Sequence, residues 1–197
     1  MVYKIEKIKH SDSPFLSIIT RKYLRPNGFE KNVKSVNAII GNNFEQIFII
    51  DSVGHGMLNA NKSFSLPEVL SEIDGKYVFL LDDDDFITNP LIVLQLESIS
   101  ELMNPDVIFF KMHIRNKNNC LYPTPNQWRN NKMIAGSIGG SCFAVKTELY
   151  KKYIEHFGQE RMGDFYFINE VMKSNPTVYW YDKQMSETGK VSRGAKE

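Results

Sequence analysis

The sequence predicts an α/β fold: a mostly parallel sheet flanked by helices, with a smaller mixed or antiparallel second half. Two observations predict it. In the first half, short and wholly apolar runs alternate with segments of helical periodicity, and the connections between them are short. Strands buried on both faces read as continuous apolar runs, and crossover helices cover those faces. A third observation places the chemistry. Charged residues gather where the apolar runs end, the edge at which open parallel sheets bind ligands.

The elements follow in order. "FLSIIT" (15–20) is apolar and rich in β-branched residues, and reads as a buried strand. "RKYLRPNG" reads as a loop, with Pro26 and Gly28 as breakers. Residues 29–40 place Val33, Val36, Ala38, Ile39 and Ile40 at mostly helical spacing, ended by Gly41-Asn42-Asn43. "EQIFIIDS" is a second buried strand closing on Asp51, and residues 52–65 are a polar stretch. Residues 67–73 read as a short helix with Pro67 in its first turn. Asp74-Gly75 turns the chain into a third strand, "KYVFLL", which delivers Asp82, Asp83, Asp84 and Asp85. A helix over 90–102 and a fourth strand, "DVIFFKMHI", follow.

The second half is less regular. "NKNNCLYPTPNQWRNNK" reads as a polar loop or edge ribbon. "GGSCFAVK" is a strand, followed by a helix from about Thr147 to a cap at Gly158. "GDFYFINEVMKSNP" is a helix ended by Asn175-Pro176, and "TVYWYDKQM" is the last strand. The polar tail, 186–197, is expected to be mobile.

Composition excludes some classes. The chain has 197 residues, enough for one domain with a substantial core. Its formal net charge of +1 supplies no global basic field, so nucleic acid is not the expected partner. No apolar run is long enough for a transmembrane span, and "MVYKIEKIKHSDSPF" lacks a signal-peptide core. Cys120 and Cys142 are far apart and set in no metal-ligand spacing, so free thiols and a cytoplasmic location are expected.

Three features fall on the ligand edge of the sheet: Thr20-Arg21, Asp51, and the run from Asp82 to Asp85. Clustered carboxylates repel unless a cation neutralises them. Mg²⁺ or Mn²⁺ commonly takes one or two carboxylates together with phosphate oxygens. The cluster therefore reads either as a metal–diphosphate site or as a solvated acidic loop with Asp85 as a helix cap. Asp51 reads as a turn residue or as an acceptor for a base imide or ribose hydroxyl. Arg21 and Arg25 read as phosphate contacts or as surface charges. His55 reads as a loop residue or a phosphate contact. His113 and His156 read as structural, and Trp128 and Trp180 as packing residues before acceptor stacking.

"GKYVFLLDDDDFITNP" resembles the Gly-Glu-Tyr-Ile-x-Phe-Leu-Asp-x-Asp-Asp stretch of family-2 inverting glycosyltransferases of the GT-A fold. "SIITRKYLRPNGFEKNVKSV" is similar to that family's opening strand and loop, and "QIFIIDS" to its second strand. "GGSCFAVKTELYKKY" and "MGDFYFINEVM" resemble its later strand and the helix start that carries its base. The resemblance covers about residues 14–182. It implies a single GT-A domain over 1–197, with a nucleotide-binding half at about 14–90 and an acceptor-side half at about 91–185.

The resemblance also implies roles. Asp84 and Asp82 would hold Mn²⁺ or Mg²⁺, with Asp83 beside the ribose. Asp51 would accept from the base, most often uracil in this family. Thr20, Arg21 and Arg25 would lie against the nucleotide, and Gly139, Gly140 and Ser141 along the sugar and acceptor side. Asp164 falls on the general base. The implied partners are a UDP-linked nucleotide-sugar donor and a glycan or other hydroxyl acceptor. The chain departs from the family in several places: Arg21 stands for a proline, Leu24 for an asparagine, and Gly163 for the glutamate before the base. One extra residue separates the aspartates from Pro90, and the segment between Asp51 and Gly75 is short, with no clear match to the family's Ala-Arg-Asn helix. Two other readings stay open. One is a nucleotidyltransferase, which the single glycine of "TRKYLRPNG" argues against. The other is a nucleotide-sugar-binding module without turnover.

Overall fold

The chain begins with an edge strand, β1 (Lys4–Lys9), in a segment whose charges hide it in the sequence. The computed structural model describes residues 3–115, 120–124, 126–127 and 132–189. β1 pairs antiparallel with β3 (Phe44–Ile50), and its alternating "KIEKIK" leaves one face in water. β2 (Leu16–Lys22) is parallel to β3 on one side and to β4 (Tyr77–Leu80) on the other. Their carboxyl ends share one edge: Asp51 N donates to Lys22 O at 3.0 Å, and Leu81 N to Ile19 O at 3.0 Å. This is the parallel core that the apolar runs predict.

The first crossover is α1 (Pro26–Asn37). Pro26 starts this helix rather than breaking the chain, because its missing N–H falls where a helix needs no donor. The polar stretch before residue 65 also holds α2 (Met57–Lys62), with Gly56 at φ +78° just ahead of it. α3 (Pro67–Ser71) and α4 (Ile92–Met103) follow as expected.

The remainder of the sheet is mixed. β5 (Asp85–Ile87) comes directly after the acidic turn. β6 (Val107–Ile114) pairs with β7 (Cys120–Tyr122) and with β8 (Phe143–Lys146), both antiparallel. α5 (Thr147–Tyr153) and α6 (Gly163–Lys173) lead to β9 (Val178–Thr188). The strand order is β1-β3-β2-β4-β8-β6-β9-β5, with β7 off this path on β6. β9 runs three residues into the expected tail, because Met185 and Ser186 are fully buried and Ser186 pairs with Ile87 of β5. Asp85 is correspondingly a strand residue and caps no helix.

Alternation splits the core across the sheet. Ile18, Phe79, Phe110 and Ala144 face Val36 of α1 and Ile92 and Leu96 of α4. Ile19, Leu80, Phe109 and Phe143 face Val69, Tyr150, Phe167 and Val171 on the other side. Trp180 stacks on Phe109 at 4.3 Å, so it belongs to this packing. Cys120 and Cys142 are free thiols, as expected. Among the described residues, no helix is long and apolar enough to cross a membrane.

A charged knot pins the edge away from the acidic turn. Lys7 Nζ lies 2.8 Å from the buried Glu45 and 2.8 Å from Asp74, which also meets Lys9 at 2.7 Å. Hydrogen bonds from Lys7 and Lys9 hold the Asp74 carboxyl down at about 2, against an ordinary value of 3.8. A lowered folded-state pKa stabilises above the unfolded value and is lost as pH falls through the folded one. Thermal unfolding followed from pH 4 to pH 2 should therefore lose part of its acid sensitivity in Asp74→Asn. An unchanged slope in that window would remove Asp74 from the account.

Candidate active site

The carboxyl edge opens into a cleft that collects residues from both halves of the chain. Arg21 and Arg25 come from the end of β2 and the start of α1, and Asp82 and Asp84 from the turn after β4. Asp164 comes from the first turn of α6, and Arg161, Gly163 and Phe157 line the wall beside it. Met57 and Asn61 of α2 complete the lining. The polar reading of residues 52–65 missed α2, yet Asn61 Oδ1 accepts from Arg21 Nη1 at 3.2 Å and its amide donates to Glu160 O at 3.1 Å.

The acidic turn is held from beneath. Asn32 Nδ2, on the buried face of α1, donates to the carbonyls of Asp82 and Asp85, both at 3.0 Å. Gln46 Nε2 donates to Asn32 Oδ1 at 3.1 Å and to Thr20 Oγ1 at 3.0 Å. A polar residue on the apolar face of α1 was the available sequence signal for this support. Removing it in Asn32→Ala leaves buried groups unpaired and should cost about 1–3 kcal/mol. Urea unfolding would show it as a lowered midpoint at constant slope.

The four aspartates have four environments. Asp82 is exposed and faces the cleft. Asp83 is buried and accepts from Tyr23 N at 2.7 Å and Arg25 Nη1 at 2.8 Å. Asp84 accepts from the same Arg25 nitrogen at 2.6 Å. Burial, and then the charge of Asp82, push the Asp84 carboxyl up to about 6. Asp85 is buried and accepts from Ser141 Oγ at 2.6 Å. Burial first, then Asp82 and Asp84, hold its carboxyl well above the usual range.

The remaining candidate residues lie off the cleft wall. Thr20 is buried in the Gln46 network. Asp51 closes β3 and orders the loop that follows: it accepts from the N–H groups of Val53, Gly54 and His55 and from His55 Nδ1. Burial works against its charge, but those N–H bonds outweigh burial and lower its pKa. The ring of His55 sits against Asp51 and Tyr3 rather than in the cleft. Gly139 and Gly140 form a tight turn where Cβ atoms would meet Met112 and Leu80. A Cβ on Gly139 would lie 3.9 Å from Asp164 Oδ2, so this turn borders the base candidate. His113 pairs with Glu187 at 3.2 Å. Trp128 lies outside the described residues.

Among the described residues, no group of three or more His, Cys, Asp or Glu side chains is arranged to hold a metal ion. Asp82 and Asp84 do face one cleft. Two carboxylates are the protein share of many Mg²⁺ or Mn²⁺ sites, in which phosphate and water oxygens complete the shell. The donor set thus fits a cation that arrives with a diphosphate.

No protein-family model matches the sequence, and neither does any curated protein. Solved structures do match. S. aureus TarS 1–349 in complex with UDP has a TM-score of 0.64 at 17% identity, over 90% of this chain and 60% of that one. The same protein with UDP-GlcNAc gives 0.63 at 15% identity, over 92% and 60%. The mannosyltransferase PcManGT from Pyrobaculum calidifontis, in complex with GDP-Man and Mn²⁺, gives 0.64 at 10% identity, over 94% and 60%. The chain spans about 60% of the length of these neighbours. At such identities the likeness shows the fold, which is that of nucleotide-sugar glycosyltransferases.

Proposed function

We propose that this chain, with its glycosyltransferase fold, is a metal-dependent inverting glycosyltransferase. It would move a hexose from a UDP-linked nucleotide-sugar to a hydroxyl of a glycan or another acceptor. The observation that carries this reading is the meeting of Asp164 with Asp82, Asp84, Arg21 and Arg25 in one cleft, from segments far apart in sequence.

Asp164 is our general base. Its Oδ1 accepts from Phe165 N at 2.9 Å, and its place in the first turn of an 11-residue helix favours the ionised form. A carboxylate there takes the proton of the acceptor hydroxyl as it attacks the anomeric carbon. Asp82 and Asp84 would hold Mn²⁺ or Mg²⁺, which when bound neutralises charge on the departing diphosphate. Arg21 presents a forked guanidinium to the same phosphates. Asp83 and Thr20 position the acidic turn and the end of β2. Asp51 serves the base side through the loop it orders, and Gly139 and Gly140 border the sugar beside Asp164. Residues of about 14–90 would then supply the nucleotide side, and about 91–185 the acceptor side. The free thiols suit a reducing compartment, so we place the reaction in the cytoplasm.

The neighbours support the donor class through the UDP, UDP-GlcNAc, and GDP-Man with Mn²⁺ bound to them. A thermal-shift screen of UDP- and GDP-sugars with and without Mn²⁺ tests it. The expected result is stabilisation by one donor together with metal, and slow release of nucleoside diphosphate. Stabilisation without release would make the chain a binding module. No response to any donor would overturn the proposal.

A further inference from the structure

The cation nearest the acidic turn is one of the chain's own. Arg25 Nη1 lies 2.8 Å from Asp83 Oδ1 and 2.6 Å from Asp84 Oδ1, a single nitrogen shared by two carboxylates. Its side chain is only 12% exposed, and those of Asp83 and Asp84 are 4% and 14% exposed. Burial alone would lower the pKa of Arg25, yet Asp84, Asp83 and Asp82 together raise it. We propose that Arg25 is an internal counter-ion that must leave Asp84 before a divalent cation can bind there, and that a diphosphate is its alternative partner. The proposal rests on the reading of Asp82 and Asp84 as cation ligands.

The argument turns on which partner can move. The acidic turn cannot retreat towards α1, because a methyl group on Gly28 would already lie 3.1 Å from Asp83 O and 3.3 Å from Asp84 Cα. On another side, a Cβ on Gly189 would collide with Asp84 O. Asn32 ties both ends of the turn from below. Arg25 is a long side chain at the very start of α1, and the preceding Leu24 holds a φ of +46°. Its guanidinium already lines the cleft that Arg21 and Arg161 also line. An arginine released from Asp84 therefore stays among the groups that would face a donor phosphate, where its fork can pair two oxygens. A cation on Asp84 with Arg25 still in place would set two positive charges on one carboxylate. Exchange removes that conflict. It couples metal entry to the arrival of the diphosphate, which gives Arg25 somewhere to go.

The test is calorimetric titration of Mn²⁺ into the wild type, Arg25→Met and Arg25→Lys, each with and without UDP. Arg25→Met keeps most of the stem and removes the competing charge. It should bind Mn²⁺ alone roughly tenfold tighter than wild type or better, the equivalent of one lost charge-assisted hydrogen bond. UDP should raise Mn²⁺ affinity more in the wild type than in Arg25→Met, and Arg25→Lys should stay near wild type without UDP. Arg25→Met binding Mn²⁺ alone no tighter than wild type would overturn the proposal. Failure of the wild type to bind Mn²⁺ even with UDP would instead sink the metal reading, so the two failures are distinct. A second measurement needs no folded variant. The guanidinium NMR signal of Arg25 in the wild type should shift when Mg²⁺ and UDP are added, as its partner changes from carboxylate to phosphate. A signal that stays unshifted would also overturn the exchange.

Discussion

Asp164→Asn should lower transfer by about 10²–10⁴-fold, the usual contribution of a positioned general base. Donor affinity should stay at the wild-type level, because the substitution touches neither Asp82, Asp84 nor the arginines. Asparagine keeps the size of the side chain and its acceptor for Phe165 N, so the first turn of α6 keeps its geometry. What it loses is the basic oxygen. The two readouts are UDP release in the presence of acceptor and UDP affinity by calorimetry. A fall in rate with unchanged affinity places the loss in the chemical step. A variant that transfers sugar at the wild-type rate would take Asp164 out of the base role. A variant that loses affinity instead would assign it to donor binding.

Apart from Arg25 and Asp164, which the family resemblance implies, the parts of this site that the sequence revealed are those fixed by strand ends. β2, β3 and β4 are buried on both faces, so they read as unbroken apolar runs, and a run that stops marks the sheet edge. Arg21, Asp82 and Asp84 follow from that logic and do line the cleft. Thr20 and Asp51 follow from it equally, yet their side chains turn into the Gln46 network and into the loop after β3. Strand position gives the edge, but not the direction in which each side chain leaves it. β1 and β5 were hidden for another reason. An edge strand such as "KIEKIK" carries charges that guard its open side, and β5 begins with an aspartate whose burial depends on Ser141, 56 residues away. The antiparallel place of β8 between β4 and β6 is a tertiary choice with no local signal. For Arg161 and Asn61, nothing in their own segments marks them, since their position in the cleft depends on how α2 and the 154–158 turn pack together.

Gly163→Ala should reduce kcat by about 10²-fold, the scale of a misplacement of about 1 Å at a reacting group. Glutamate is what the family resemblance leads one to expect at this position. Here the position lies against the 3₁₀ turn Ile154–Gly158. A Cβ on residue 163 would collide with the Phe157 carbonyl and lie 2.5 Å from Phe157 Cδ1. The carbonyl belongs to backbone, so it cannot rotate away like a side-chain tip. Either the turn or the start of α6 must shift, and Asp164 is the next residue. Overpacking of this kind typically costs about 1–3 kcal/mol as well, so the urea midpoint should fall together with kcat. That pairing separates Gly163→Ala from Asp164→Asn, which loses rate while keeping stability. The close packing also explains the missing glutamate: in this chain the space beside the base is filled by Phe157, which itself lines the cleft. If Gly163→Ala kept both rate and midpoint, the 154–158 turn would have to yield freely. The glycine would then need a reason other than packing.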